Sequence, residues 1–193
     1  MDAEKTTAEY RMHEPVRRET VMVHDAPWEG SVSCYHVIIP DGDKYRMYYR
    51  GESGLNLGGV ICYAESNDCI HWTKPELGIC EFNGSKKNNI IIDKTLHPAI
   101  DNFFVFKDTN PDCPSERLYK AVSLYNFPTE NGPDPEGGLR VYYSADGIHF
   151  KKGELLLDAK TGAFDSMNVV FWDEVYRKYR CYFRGFHPAP EGT

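Results

Sequence analysis

The octapeptide KYRMYYRG at Lys44–Gly51 returns as KYRCYFRG at Lys178–Gly185, with six of eight positions identical. Read as a strand, the first copy places Tyr45, Met47 and Tyr49 on one face and alternating arginine and tyrosine on the other. Both differences between the copies fall on the apolar face, where one buried side chain can replace another. The repeat therefore predicts that one structural unit occurs more than once in the chain.

A shorter phrase repeats independently of the first. SNDCIHW at Ser66–Trp72 matches SADGIHF at Ser144–Phe150. A serine two residues before an aspartate supplies side-chain acceptors for the backbone N–H groups of a tight turn, and Gly147 permits a positive φ there. Cys69 stands at the position of that glycine in the first copy, so its turn must differ in φ or be strained. Each phrase predicts a corner between antiparallel strands.

A degenerate third copy of the octapeptide, RLYKAVSLYN at Arg117–Asn126, lies between the other two. The strand-like segments around the three copies follow one order, which gives two units of four antiparallel strands and the first half of a third. Such repeating, aromatic-rich units are typical of β-propeller blades. A β-sandwich would explain the strands but not the repeated phrases. The predicted strands are Ser31–Ile39, Lys44–Gly51, Gly59–Ser66, a short strand after Trp72, Asp101–Asp108, Arg117–Tyr125, Gly138–Ala145, Glu154–Asp158, Ser166–Glu174 and Lys178–Gly185.

The repeats also suggest how the chain is divided. We expect an N-terminal extension over residues 1–24 and a partial β-propeller over residues 25–193. Within it, blade I covers about 25–93, blade II about 94–158, and the start of blade III about 159–193. Because propellers have four or more blades, we expect the chain to be a fragment of a longer reading frame. An unclosed blade edge would then favour self-association.

Composition narrows the possible partners and cellular location. The net charge of −7 and sequence pI near 5.5 argue against nucleic acid or an anionic membrane, because either requires a basic surface. No apolar run approaches the roughly 20 residues that a bilayer demands, and the charged N-terminal stretch lacks the apolar centre of a signal peptide. We therefore expect a cytoplasmic protein. The six cysteines form no CxxC pair and are interpreted as free thiols.

Three motifs carry a family resemblance: YRMYYRG on a second strand, the Ser-x-Asp-Gly-Ile-His type of corner between third and fourth strands, and FDSMNVVFWD at Phe164–Asp173 opening a blade. Together they resemble the five-bladed propeller glycoside hydrolases of families 32, 43, 62, 68 and 130, which include invertases, levansucrases and arabinofuranosidases. The resemblance extends over about Pro27–Pro188 and is nearest to bacterial proteins of the family 32-like type. It implies a five-bladed propeller with its active site at one mouth of the axial funnel.

In that superfamily, carboxylates at or near the starts of the innermost strands of successive blades carry out the chemistry. The matching positions are Glu29, with Asp25 as its alternative, then Asp101 and Asp165. Our hypothesis makes Glu29 or Asp25 the base or nucleophile, Asp165 the general acid, and Asp101 the residue that orients the sugar. The NDPNG, RDP and EC motifs of family 32 are not found, so these roles do not transfer directly. Alternatively, Asp101 and Asp165 only cap loops before strands.

Candidate substrate-binding residues lie close to these acids. Sugars are bound by flat apolar faces and by planar polar groups that bond their hydroxyls. Trp28, Asn102 and Asn168 each lie beside or shortly after a candidate acid, and His97 precedes the second inner strand. Since the histidines lack the spacing of metal ligands, we predict neither a metal nor another cofactor. The arginines that close the two octapeptide copies, Arg50 and Arg184, are expected in solvent or in loop pairing.

The leading functional hypothesis is a carbohydrate-active enzyme, a glycoside hydrolase that acts on small carbohydrates or chain ends of oligosaccharides. Two other classes stay open: a propeller that binds carbohydrate without catalysis, and a scaffold that binds proteins through its rim. A glycosyltransferase or phosphorylase on the same fold would use similar residues. Replacing Asp165 separates these classes, because turnover, sugar affinity or neither would be lost.

Overall fold

A computed structural model describes residues 9–52, 59–97, 101–125 and 137–185 of the 193-residue chain. The strands of these residues form two four-stranded antiparallel sheets and one two-stranded hairpin, and the same residues contain one short 3-10 turn at Ser115–Arg117. The predicted all-β fold class with antiparallel four-stranded sheets is confirmed, and the sheets are consistent with partial propeller blades, after which we name them. Blade I contains β1 (Cys34–Asp41), β2 (Lys44–Gly51), β3 (Val60–Ser66) and β4 (Ile90–Ile92); blade II contains β5 (Phe103–Lys107), β6 (Tyr119–Tyr125), β7 (Gly138–Ser144) and β8 (Lys151–Asp158); the blade III hairpin contains β9 (Val169–Asp173) and β10 (Lys178–Tyr182).

Most predicted strands agree with the structure to within a few residues, but the last strand of blade I does not. Directly after Trp72 there is no strand in the described residues but an isolated bridge, in which Thr73 pairs with Glu65 of β3. The fourth strand proper is β4, whose three isoleucines are all buried. Between the two, Cys80 and Phe82 pack against the outer face of blade I. The strand is displaced because the chain first covers this face and then returns to the sheet.

Apolar side chains fill both faces of each complete blade. One buried group lies between blades I and II, a second on the outer face of blade I, and a third between blade II and the blade III hairpin. Fully burying a side chain of this size stabilises the fold by about 1.5–3 kcal/mol. Representative members are Tyr48 with Phe103 in the first group, Met47 with Tyr49 in the second, and Val122 with Val170 in the third.

A polar contact also joins blade I to blade II at the end of β1. Asp41 forms an ion pair with Arg46 Nε at 2.5 Å, and the Tyr119 hydroxyl donates to the same carboxylate at 2.8 Å. The Arg46 guanidinium carbon lies 4.9 Å from the centroid of the Tyr119 ring. A hydrogen bond to a charged group contributes about 1.5–3 kcal/mol, so this contact adds to the apolar packing.

The same arrangement joins blade II to blade III. Asp108, directly after β5, pairs with Lys120, and the Tyr179 hydroxyl donates to the Asp108 carboxylate at 2.7 Å. Lys120 Nζ lies 5.6 Å from the centroid of the Tyr179 ring. We call each set of aspartate, cation and next-blade tyrosine a blade clamp. The repeat therefore preserves a contact between sheets, since Tyr119 and Tyr179 occupy equivalent positions.

The two repeated corners have the predicted geometry. Asp146 Oδ1 accepts hydrogen bonds from the backbone N–H groups of Ile148 and His149 at 2.9 and 2.8 Å, and its Oδ2 bonds His149 Nδ1 at 2.7 Å. Asp68 makes the corresponding bonds at 2.8, 2.8 and 2.7 Å. The carboxylate therefore satisfies the N–H groups that the turn leaves unpaired.

The central residue of the corner has a positive φ in both copies, +76° at Gly147 and +62° at Cys69. A Cβ atom at Gly147 would lie 2.8 Å from Arg46 Nη1 and 2.9 Å from the Tyr48 hydroxyl, because blade I packs on this corner. At the Cys69 corner the described residues place no second sheet, and the indole of Trp72 bonds the Cys69 carbonyl at 3.0 Å. A side chain therefore fits at Cys69 at the cost of backbone strain.

We predict that Gly147→Ala destabilises the protein by about 3 kcal/mol, because a left-handed φ and the contact with blade I both oppose a Cβ. Gly42 has a φ of +68° but open space around its Cβ position. Gly42→Ala should therefore cost only about 1 kcal/mol, the backbone part alone. Urea unfolding of both variants measures the difference, and equal losses would contradict the packing of blade I on this corner.

Candidate functional site

The candidate acids lie at the end of the blades opposite the clamps. Asp101 comes two residues before β5, and Asp165 four residues before β9. Glu52 directly follows β2, and the end of β2 runs beside the start of β1. Glu52 forms a bridge with Gly30, in the segment before β1. The Gly51 position lies against the backbone of this segment, with the Trp28 carbonyl 2.8 Å from where a Cβ would be. The absence of a side chain there allows the segment before β1 to approach β2.

Arg50 connects two of the carboxylates at this end of the blades. Its Nη1 donates to Asp101 and its Nη2 to Glu52. The side chains are partly exposed, by 17% for Arg50, 12% for Asp101 and 31% for Glu52. Because Arg50 belongs to blade I and Asp101 precedes β5, this ion pair spans the junction between two blades. The cluster holds two negative charges and one positive charge when ionised.

Asp165 forms the second part of the site. Its carboxylate accepts a hydrogen bond from Arg184, and about half of each side chain is exposed. Tyr35, in β1, donates its hydroxyl to the backbone carbonyl of Asp165 at 3.3 Å. Tyr35 has a φ of +55° and lies at the irregularity between Cys34 and Val37, where β1 and β2 change register. Positive φ at a non-glycine residue is costly and is concentrated at functional sites.

Electrostatic effects show that these groups share one environment. Burial raises the pKa of Asp101, the Arg50 guanidinium opposes this rise, and the nearby Asp165 and Glu52 carboxylates add to it. The net result is a pKa above the ordinary 3.8. The pKa of Tyr35 is raised by burial and then by the charges of Asp101, Cys34 and Asp165. Asp101 and Asp165 are therefore close enough for their charges to interact, and Tyr35 bonds the backbone of Asp165.

Glu29 is placed differently. Its side chain is fully buried, and its carboxylate accepts hydrogen bonds from Lys74 at 2.8 Å, the Ala26 N–H at 2.9 Å and the Tyr49 hydroxyl at 2.5 Å. Burial raises the pKa of Glu29, but these donors outweigh it and hold the pKa below the ordinary 4.5. None of these three groups contacts Asp101 or Asp165 in the described residues. The Glu29 carboxylate therefore belongs to the packing on the outer face of blade I.

Asp25, the predicted alternative to Glu29, is in the same neighbourhood. Its side chain is 77% exposed and its carboxylate bonds Lys74 Nζ at 3.2 Å. This hydrogen bond and the charge of Lys74 lower the pKa of Asp25. As catalytic groups, Glu29 and Asp25 stay predictions, and the observed ion pairs connect both to Lys74.

The four predicted sugar-binding residues have polar groups that bond within the protein. The Trp28 indole donates to Asn89 at 2.8 Å. Asn102 and Asn168 are fully buried and bond each other at 3.2 Å, and both donate to the Phe164 carbonyl. These contacts join blade II to the segment before β9. Trp28, Asn102 and Asn168 therefore contribute to packing within the protein, and their role as ligand contacts stays a prediction.

His97 is also fully buried. Its ring stacks on Tyr142 with centroids 5.4 Å apart, and Nε2 lies 3.2 Å from the Ser123 hydroxyl. Burial lowers the pKa of His97 to about 4, so the imidazole is neutral at pH 7. A neutral, enclosed ring contributes to the core of blade II, and a sugar would reach it only after the core opened.

Sequence reasoning missed part of this cluster. Arg50 and Arg184 were expected in solvent or in loop pairing, and both pair with acids in the loops before β5 and β9, but the sequence did not predict that these acids are the candidate ones. Pairing of arginine with an acid from the next blade cannot be read from strand alternation. Glu52 had a usable signal, since it directly follows the repeated octapeptide. Tyr35 had none, because its position depends on the irregularity in β1.

Comparison with known proteins gives only distant similarities. No protein-family model matches the chain, and no curated protein matches it in sequence. It is similar to a solved glycoside hydrolase with a TM-score of 0.48 and 14% identity over 81% of this chain and 49% of that one. A solved BT0996 RGII complex gives 0.48 and 13% over the same shares. A proposed glycoside hydrolase from Parabacteroides distasonis gives 0.42 and 16%, over 74% of this chain and 38% of that one.

The chain thus spans about half the length, or less, of these solved structures. Such similarities define neither a family nor an activity. In the part of the chain that the structure describes, no helix has the length and apolar character needed to cross a bilayer. Within the same residues, no three His, Cys, Asp or Glu side chains are grouped so as to hold a metal ion.

We predict that Lys74→Met destabilises the protein by about 3 kcal/mol at pH 7, because it leaves the enclosed Glu29 carboxylate without its cation. The lowered pKa of Glu29 stabilises the wild type above its unfolded-state pKa, and this contribution is lost as pH falls through the folded-state pKa. The two proteins should therefore converge in stability at acidic pH. Urea unfolding across pH tests this.

A matched control for Lys74→Met is Lys44→Met. Lys44 pairs with Glu65 at 3.1 Å, but both side chains are more than one-third exposed. Such a surface pair contributes about 1 kcal/mol or less. Equal losses of stability in the two variants, at every pH, would show that Glu29 is not held as the structure indicates.

We also predict two opposite shifts in the pKa of Asp101. Asp165→Asn removes a neighbouring negative charge and should lower it, whereas Arg184→Gln leaves Asp165 without its cation and should raise it. Carbon-13 NMR titration of the aspartate carboxyl groups measures both. Asp43→Asn, in the exposed turn after β1, is the control that should leave the Asp101 pKa unchanged.

Proposed function

We propose that the chain carries a carbohydrate-active site of the glycoside hydrolase type, centred on Asp101 and Asp165. The observation that supports this proposal most directly is the position of Asp101, which bonds the guanidinium that also bonds Glu52; burial and the charges of Asp165 and Glu52 raise the pKa of Asp101 there. Glycoside hydrolysis requires one carboxyl group that is protonated and can donate to the leaving oxygen, and another that acts as a base or nucleophile. An acid whose surroundings raise its pKa suits the first of these two roles.

The raised pKa suits Asp101 to donate a proton, and we assign the role of base or nucleophile to Asp165. This reverses the roles expected from the sequence, in which Asp165 is the acid and Asp101 orients the sugar. Arg50 holds Asp101 in place and limits the rise in its pKa. For Glu29 to act instead, Lys74 and the Ala26 N–H would have to release its carboxylate. The proton transfer proposed here uses groups that are already partly exposed.

The surrounding side chains fit a small, polar ligand. Arg50, Glu52 and Arg184 offer planar charged groups that can bond sugar hydroxyls, and Tyr35 offers an aromatic ring at the same place. Since Asp165 and Arg184 are half exposed, a ligand could approach them from solvent. We therefore propose a short oligosaccharide or the end of a longer chain as the substrate, with no metal required for the reaction.

A second candidate function is carbohydrate binding without catalysis. It is favoured by the ion pairs themselves, because Asp101 bonds Arg50 and Asp165 bonds Arg184. Paired carboxylate and guanidinium groups are good partners for hydroxyls and need no change of protonation. A phosphorylase or transferase would use the same carboxylates, and its turnover would depend on added phosphate or an acceptor sugar.

The decisive test is turnover of a panel of para-nitrophenyl glycosides and short oligosaccharides by the wild type, Asp101→Asn and Asp165→Asn. General acid and base groups contribute about 100-fold or more to the rate, so each variant should lose at least that factor in kcat. The control is Asp43→Asn, which replaces an exposed aspartate in the turn after β1. Far-UV circular dichroism checks that each variant is folded.

Three results would change the conclusion. If turnover persists in both variants, the two acids are not catalytic. If the wild type shows no turnover but Asp101→Asn weakens sugar binding in calorimetry, the site only binds carbohydrate. If Glu29→Gln abolishes turnover while retaining the stability of the wild type, the base or nucleophile is Glu29 and the outer face of blade I opens during the reaction.

A further inference from the structure

The blade III hairpin carries the aspartate and the cation of a third blade clamp, which we call its acceptor half; the tyrosine is the donor half. Asp173, at the end of β9, pairs with Arg180 of β10, just as Asp41 pairs with Arg46. The described residues bring no tyrosine from another blade to this pair; instead, Tyr176 of the same hairpin lies 4.5 Å from the Arg180 guanidinium carbon. Within the described residues, Asp173 and Arg180 therefore form the acceptor half without a contact from another sheet.

The surface around this acceptor is apolar and open. Phe171 and Tyr182 stack on each other with centroids 6.0 Å apart, and they are 38% and 57% exposed. Both side chains lie on the same face of the hairpin as Arg180, by the alternation of strand residues. In blade II, the corresponding face of β6 is covered by the hairpin of blade III and includes the buried Val122. The exposed aromatic rings therefore indicate an interaction surface on this face of the hairpin.

The donor half of a clamp lies at the other end of the same chain. Tyr45 is the second residue of β2 and Tyr119 the first of β6, and each comes one residue before a cation that pairs with the aspartate of its own sheet. Tyr45 is partly exposed, and the described residues provide no hydrogen-bond partner for its hydroxyl. One chain therefore presents both complementary halves of a contact that it already forms twice internally.

We propose that a second copy of this chain docks head to tail on the blade III hairpin, with its Tyr45 hydroxyl donating to Asp173 and its ring against Arg180. The occupant follows from complementarity, because the established clamps specify an aspartate, a cation and a tyrosine in this geometry. Phe171 and Tyr182 would lie against the layer of side chains that already covers the outer face of blade I in the second copy. The contact is heterologous: each copy uses a different surface for its two neighbours.

The structure limits how extensive the contact can be. Deeper on the outer face of blade I, Met47 and Tyr49 are already buried by the chain's own Trp28 and Phe82. The second copy therefore docks near Tyr45 and leaves this packing in place. A small interface of this kind produces weak, concentration-dependent association.

The experiment is sedimentation velocity of the wild type, Tyr45→Phe, Arg180→Gln and the double variant over a wide concentration range. We expect the wild type to associate. Each single variant should weaken association about tenfold, since Tyr45→Phe removes the hydrogen bond to Asp173 and Arg180→Gln removes the cation against the Tyr45 ring. The double variant should be no weaker than either single variant, because both changes remove the same contact. Tyr10→Phe, at a 97% exposed tyrosine, is the control and should associate as the wild type does.

Mixing separates a head-to-tail contact from a symmetric one. Tyr45→Phe retains an intact Asp173–Arg180 acceptor, and Arg180→Gln retains an intact Tyr45 donor. Two differently tagged preparations should therefore associate with each other through one wild-type contact, more tightly than either variant does with itself. Arg180→Gln is preferred to a change at Asp173, because Asp173 also accepts hydrogen bonds from the Val175 and Tyr176 N–H groups of the turn.

Three outcomes would overturn the proposal. A wild type that stays monomeric at every concentration shows that a second copy does not occupy the hairpin. Single variants that associate like the wild type show that the clamp residues are not in the contact. Association lost in the single variants but not restored in their mixture indicates a symmetric interface, in which the same hairpin of both copies meets.

Discussion

At both junctions between sheets, an aspartate at the end of one sheet's first strand bonds two groups. One is a cation of its own sheet, and the other is the hydroxyl of a tyrosine in the next sheet. The Asp41–Arg46–Tyr119 and Asp108–Lys120–Tyr179 contacts fix neighbouring blades at one end of their strands. The apolar layers between the blades are non-directional and would tolerate sliding. The charged hydrogen bonds add a direction, and with it a register between sheets.

That register determines the chemistry at the opposite end of the strands. Asp101 meets Arg50 only because blade I and blade II are held at one relative position, and Tyr35 reaches Asp165 across two blades. The two kinds of buried carboxylate then differ in what surrounds them. Glu29 has enough donors to keep its pKa low despite burial, whereas Asp101 has one arginine and two carboxylate neighbours and its pKa is raised. Burial alone therefore does not decide which acid can donate a proton; the balance of donors and like charges does.

Much of the fold could be predicted from the sequence. The octapeptide at Lys44–Gly51 is a strand over its full length, and both Ser-x-Asp corners bond as their side chains require. The site was predicted less well. Asp101 and Asp165 lie close enough for their charges to interact, and their catalytic role stays a prediction; Arg50, Glu52 and Tyr35 were not assigned to their surroundings. The strand after Trp72 was also misplaced, because the chain covers the outer face of blade I before it returns to β3.

The sequence by itself determined the elements whose cause is local: strands from the alternation of side chains, corners from serine and aspartate acceptors, and the order of the blades from the repeats. The tertiary structure alone decided which charged groups meet. Arg50 and Asp101 are 51 residues apart in the chain, and Tyr35 and Asp165 are 130 apart. Contacts over such distances depend on how whole sheets pack and on an irregularity within β1, and neither leaves a periodic pattern in the chain.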